Sequence, residues 1–378
     1  MMFPKRTGAV VLVAASLLIL SACTGSGGGG GGGTAGSEDV SKAQAVVDKA
    51  TADITGGAIP KDKVDVPADP KFVVSIPCAY AAEGCKRGSD ATKEAAELLG
   101  WKYQMIDPAG DPEQMREAVR TATQLGADAI FLAAVPDVVV ADDVKAARDA
   151  GIIVINTYEP VSDGVGKYPA GYVDATVRSD HYTAGYWDAA YATVASGGTG
   201  QIITVNDPEF ASVVTWNKGF TEGIAKLCPK CKVLKNIDFQ IANLQSTLPT
   251  EFQAVLQANP TANVVWTAYD PVYAAIKPVI DRSENTDMIV VSHNGDAFAL
   301  DEIKADKTPL KASVGYVAEW LSWAGMDQYL RILAGTITDE EREFVVPQKL
   351  LTKEDITSIP FDGDFKWKDA YKALWNKG

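Results

Sequence analysis

The residue types that most often do chemistry are sparse in this chain, and their spacing narrows what they can do. Of 378 residues only two are histidine, His181 and His293, and five are cysteine. Four of the cysteines fall into two close pairs. Cys78-Ala-Tyr-Ala-Ala-Glu-Gly-Cys85 would close a short loop, and Cys228-Pro-Lys-Cys231 has redox-motif spacing. No second C-x-x-C exists to complete a zinc site, and the surroundings are not those of a thioredoxin unit. Both pairs are therefore read as structural disulfides, the second stapling a helix end to the next strand. There is no G-x-S-x-G elbow, no Walker loop and no H-E-x-x-H. The two histidines are read as hinge or supporting residues, and Asp362-Gly-Asp364 as a turn, since the other oxygen ligands of a calcium loop are missing. The expectation is a protein with no catalytic residues, no metal and no cofactor.

The formal net charge of -14 argues against nucleic acid and anionic lipid faces as partners. The first 23 residues read as an export signal: Lys5 and Arg6, an apolar stretch over 9–20, then small residues. The tetrad Leu20-Ser21-Ala22-Cys23 resembles the bacterial lipobox, in which Cys23 would be acylated to anchor the mature chain. An unbroken glycine run, 27–33, follows and would act as a flexible tether. Residues 24–70 are read as tether and polar lead-in, with one helix near 40–52.

From Lys71 onward the pattern alternates regularly. Residues 72–76, Phe-Val-Val-Ser-Ile, suit a strand buried on both faces, and 90–99 read as a helix closed by Gly100. The unit recurs as strand 103–106 with helix 112–125, strand 129–133 with helix 139–150, and strand 152–156. A second series follows 174: helices at 182–194, 213–227, 244–258 and 272–280 alternate with strands at 201–205, 233–238, 264–267 and 288–292. Two such series predict an α/β fold of two Rossmann-like, doubly wound parallel-sheet lobes. Ligands of such sheets bind beyond the carboxyl ends of the strands.

In this order and spacing several stretches resemble type I periplasmic binding proteins of the ribose-binding branch, from about Lys71 to the C-terminus. They are Gln124-Leu-Gly-Ala-Asp-Ala-Ile-Phe-Leu-Ala-Ala-Val-Pro-Asp137, Ala146-Ala-Arg-Asp-Ala-Gly-Ile-Ile-Val-Ile155, Ser179-Asp180-His181 with Ala184-Gly185, Asn217-Lys-Gly-Phe220, and Val290-Val-Ser-His-Asn-Gly295. The resemblance implies a three-segment hinge near Ser179, Tyr316 and Val346. One lobe would then hold 71–179 with 317–346, the other 180–316 with 347–378. It carries the ligand positions onto Tyr80, Tyr158, Glu159, Trp216, Phe239, Tyr269, Asp270, Asn294 and Tyr316.

In the sugar-binding relatives the fourth strand typically ends in Asp-Arg, and an arginine holds the place of Trp216. Neither arginine is present, so the implied pocket is unusually aromatic. Ring faces suit the C–H side of a sugar or polyol, and also a cationic or aromatic molecule. An anion is disfavoured, since no Lys or Arg falls on these positions. The resemblance further implies a monomeric, extracytoplasmic lipoprotein that hands a small neutral polyhydroxylated solute to an ABC permease. A receptor presenting the solute to a signalling partner is the alternative.

Overall fold

The computed structural model describes residues 34–55, 59–159, 172–283, 285 and 287–377. The export signal, Cys23 and the glycine run lie outside the described residues. Two six-stranded sheets organise the chain. The first contains β1 (Phe72–Pro77), β2 (Lys102–Met105), β3 (Ala129–Ala133), β4 (Ile153–Thr157), β5 (Ala175–Arg178) and β11 (Glu343–Val345), in the order β11-β5-β4-β3-β1-β2. The second contains β6 (Gln201–Asn206), β7 (Lys232–Asp238), β8 (Val264–Thr267), β9 (Ile289–Asn294), β10 (Leu310–Tyr316) and β12 (Gln348–Leu351), in the order β12-β10-β9-β8-β6-β7. Every pairing is parallel except β10 with β12. Each sheet is thus the doubly wound arrangement that the alternating pattern called for.

The continuous apolar runs follow from burial on both faces. In the first sheet Val73, Phe131 and Ile155 join one core cluster, while Val74, Ile76, Ile130, Leu132 and Val154 join another. Helices α3 (Pro112–Gln124) and α4 (Asp137–Asp149) cover the second face with Met115, Val119, Val140 and Val144. Helices α2 (Glu83–Leu99) and α10 (Ala318–Ala334) pack together over the first. Local chemistry sets several helix ends. The Asp111 carboxylate accepts from the Gln114 amide at the start of α3, with Pro112 in the first turn. In the second lobe Asp180 caps α5 (His181–Ala195) by accepting from the Thr183 amide. The backbones of α5 and α6 (Ala211–Leu227) meet at two glycines: a Cβ on Gly185 would stand 2.0 Å from the Trp216 carbonyl oxygen, and one on Gly219 would stand 2.1 Å from that of Tyr182.

The remaining helices are α7 (Leu248–Ala258), α8 (Asp270–Asp281) and α9 (Ala297–Ala305) in the second lobe, and α11 (Trp367–Leu374) at the end of the chain. Two boundaries differ from the pattern reading. α2 begins at Glu83, within the loop closed by Cys78 and Cys85, whose Cα atoms are 6.0 Å apart. α7 begins at Leu248 because Pro249 falls in its first turn; residues 241–243 form a separate 3-10 turn. The second disulfide ties the end of α6 at Cys228 to Cys231, directly before β7.

Both ends of the chain depart from the expected boundaries. Part of the lead-in is packed: α1 (Thr34–Ala50) lays Ala43, Val47 and Ala50 on α5. Beyond it, Arg331 of α10 donates to the Asp62 carbonyl at 2.7 Å, and the Val64 amide to that of Leu374 at 3.2 Å. Residues 367–375 were expected with the second lobe. They lie against the first, because Trp320 and Trp323 of α10 pack with Trp367, Tyr371 and Trp375. Four tryptophans and a tyrosine removed from water make that placement strongly favourable.

Candidate functional site

The carboxyl ends of both sheets open on one space between the lobes. It is open at its mouth and encloses about 540 Å³ of atom-free volume with that mouth included. Its walls come from turns that directly follow strands. Cys78, Ala82 and Cys85 follow β1, Ala134 follows β3, and Tyr158 and Glu159 follow β4. Across the gap stand Phe210, Ser212, Val213 and Trp216, on the β6–α6 connection and the first turns of α6. Ile241 and Leu244 follow β7, Tyr269 follows β8, and Asn294 and Tyr316 end β9 and β10.

Three rings meet at the centre. The Tyr158 ring lies 4.5 Å from Tyr316 and 5.9 Å from Trp216, centroid to centroid. Behind them the histidines form a second layer. His293 stacks on Trp216 at 4.0 Å, and His181 packs edgewise on both Tyr158 and Trp216. Burial drives the His181 pKa down to about 3 and that of His293 well below the usual range. His181 Nε2 serves as a donor to the Tyr158 carbonyl at 2.8 Å, and His293 Nε2 stands 3.1 Å from the buried Asp188 carboxylate.

The backbone here is strained in a localised way. Ala134, Tyr158 and Asn294 all line the space and all adopt positive φ, at 56°, 91° and 111°. Such conformations persist where surrounding packing over-determines them, and they concentrate at binding sites.

The carboxylates are engaged by the protein itself. Glu159 reaches across the gap and accepts from the Ser212 hydroxyl at 2.6 Å and the Ser212 amide at 3.0 Å. Burial pushes its pKa up to about 7 even though both bonds from Ser212 favour the ionised form. Asp207 accepts from the Tyr269 hydroxyl at 2.8 Å and is likewise raised by burial, to about 7. Asp270 is fully buried, accepts from the Asp296 amide at 2.9 Å and the Ser313 hydroxyl at 3.0 Å, and is raised by burial to about 7. A further bond crosses the gap from the Ala297 amide to Glu83, at 2.9 Å. The lobes are thus in contact over the space.

Of the nine residues expected to bind solute, Tyr158, Glu159, Trp216, Tyr269, Asn294 and Tyr316 line this space. Three do not. The Tyr80 hydroxyl turns away to Asp90, with Lys86 over its ring. Phe239 stands behind Tyr269 at 6.2 Å, and Asp270 is consumed in joining β9, α9 and β10. The residues that pattern reading missed are mostly aliphatic, Ala134, Val213, Ile241 and Leu244 among them, with Phe210 and Ser212 beside them. Their position just after strand ends was the available signal; their type is indistinguishable from core. No lysine or arginine lines the space among the described residues.

Two like lobes, strand ends facing, with a ring-lined space at the junction: that geometry defines a hinged receptor for a small molecule. A family model described as a periplasmic binding protein domain matches residues 73–337, and the chain belongs to that family. The D-apiose import binding protein of Actinobacillus succinogenes is 22% identical over 283 residues, covering 74% of this chain and 87% of that protein. Among solved structures, a solute-binding protein of an Agrobacterium vitis ABC transporter with bound allitol superposes with a TM-score of 0.68 at 19% identity, covering 76% of this chain and 97% of that one. The myo-inositol binding protein of Caulobacter does so with a TM-score of 0.67 at 15% identity, covering 79% and 97%. These relatives are binding proteins, and the fold is the one they share.

Proposed function

We propose that this chain is the extracytoplasmic solute-binding lipoprotein of an ABC importer, which closes on a small uncharged solute and presents it to the permease. The observation that carries this reading is the convergence of Tyr158, Trp216 and Tyr316 on one inter-lobe space, held by elements of both sheets. A solute in that space touches both lobes only when they are together, so it favours the closed form by its differential affinity. The hinge is formed by the chain's crossings between sheets, after β5, after β10 and between β11 and β12. A lipid on Cys23 and the tether before α1 would hold the body at the outer face of the cell membrane. The family and its binding-protein relatives support capture without chemistry, and the engaged state of every carboxylate at the site agrees with it.

The test combines small-angle scattering with thermal shift over a panel of uncharged solutes. A true ligand at a hundredfold over its dissociation constant adds about 2.7 kcal/mol to stability and contracts the molecule. Saturating binding with unchanged dimensions would rule out closure. Exchange of Trp216 for leucine should abolish the response while the fold persists; an unaltered shift would remove Trp216 from the site.

A further inference from the structure

The lining of the inter-lobe space says which uncharged solute it takes, an inference that rests on the receptor reading above. Among the described residues the surface offered to a ligand is almost entirely carbon, although Glu159, Ser212, Asn294 and four ring residues with polar atoms stand around it. The reason is visible bond by bond. Both Glu159 oxygens are taken by Ser212, the Tyr269 hydroxyl by Asp207, and the Asn294 amide nitrogen lies 3.4 Å from Asp296. What remains exposed is ring face, the methyls of Ala82, Ala134 and Val213, and the side chains of Ile241, Leu244 and Pro271. One donor beside the space has no acceptor, the Trp216 indole N–H, while the Tyr158 and Tyr316 hydroxyls face each other.

A polyol cannot be held well by such a wall. Each ligand hydroxyl sealed in without a partner lowers affinity by about tenfold or more, and a six-carbon polyol brings several. A ring compound with a hydrocarbon body loses nothing on the carbon wall and gains ring-to-ring contact with Tyr158, Trp216 and Tyr316. One ligand oxygen is enough to serve the idle indole N–H of Trp216.

We infer that the solute is a compact aromatic or alicyclic compound, mostly hydrocarbon, bearing one or two oxygen functions. It differs in this from the polyhydroxylated ligands named for the structural relatives.

The test is calorimetric titration of the full-length chain with two sets of probes. One set is cyclohexanol, 4-methylphenol and acetophenone; the other is myo-inositol, allitol and D-arabinose. The expected result is that at least one ring compound binds tenfold more tightly than every polyol. A polyol bound as tightly as any ring compound overturns the inference and leaves the receptor reading intact. No heat from either set, with scattering dimensions unmoved, overturns both. Val213→Thr adds one hydroxyl to the wall at nearly constant shape, so it keeps the fold while altering the lining. It should weaken the tightest ring compound by about tenfold; an unchanged constant overturns the role of the carbon wall.

Discussion

Glu159 couples the pH of the surroundings to the contact between the lobes, and its replacement by glutamine isolates the effect. Its ordinary pKa is 4.5, and burial raises it to about 7 in the folded protein. The folded state therefore binds the proton more tightly than the unfolded chain does. That contribution to stability is complete below pH 4.5 and disappears as pH rises through about 7. Between about pH 8 and about pH 5.5 a single group with these two values contributes roughly 2 kcal/mol of added stability. Asp270, raised to about 7 by burial, acts in the same direction in both proteins and cancels in the comparison; Asp207, raised to about 7 chiefly by burial with a smaller part from the Glu159 charge, cancels in large part. Urea unfolding of wild type and Glu159→Gln at the two pH values gives the quantity directly. The wild type should gain about 2 kcal/mol more on acidification than the variant does, whatever constant destabilisation the amide introduces at Ser212. Parallel pH dependences would refute the claim that Glu159 sits in a dry gap bonded to Ser212.

Three further outcomes are expected. Gly185→Ala forces a methyl into the Trp216 carbonyl, where a Cβ has only 2.0 Å, so it should lower stability in urea unfolding by more than the roughly 1–3 kcal/mol of ordinary overpacking and blunt solute response by displacing α6. Replacing Cys78 and Cys85 together by alanine removes a short covalent loop and should lower stability by about 2.5 kcal/mol in denaturant titration; wild-type stability under non-reducing conditions would count against the bridge. Tyr80→Phe deletes a hydroxyl bonded to Asp90 outside the cleft, so the dissociation constant for any bound probe should stay within about twofold, and a tenfold loss would return Tyr80 to the site.

The extent to which this architecture can be read from sequence follows from where each signal comes from. Strands β1 to β4 and β6 to β9 were legible, the inner ones because burial on two faces demands uninterrupted apolar runs, with Gly100 and Pro112 as punctuation; β5, β10, β11 and β12 were not read as strands. The rings at the centre came from the family resemblance: Tyr158 falls in the turn after β4, Tyr316 at the end of β10 and Trp216 in the first turns of α6. Side-chain direction was not legible. Tyr80 sits in the right loop, yet the bridge between Cys78 and Cys85 starts α2 early and brings Asp90 within reach of its hydroxyl. Asp270 sits at the right strand end, yet Ser313 and the Asp296 amide claim it.

The same competition explains the character of the site. A carboxylate near a cleft reads as a ligand for hydroxyls, but here each one found a closer partner within the chain, and burial then raised Glu159, Asp207 and Asp270 together. With the polar groups turned inward, the wall left to the solute is what remains of the turns: ring faces and methyls. Ala134, Tyr158 and Asn294 hold positive φ to present that wall, strain which closely packed surroundings sustain. Selectivity in this receptor is therefore written in the bonds its carboxylates make to the protein, not in bonds they would make to cargo. Freeing one carboxylate oxygen, as Ser212→Ala would free Glu159 Oε1 while the backbone amide keeps Oε2, should open the site to hydroxylated solutes at the expense of stability.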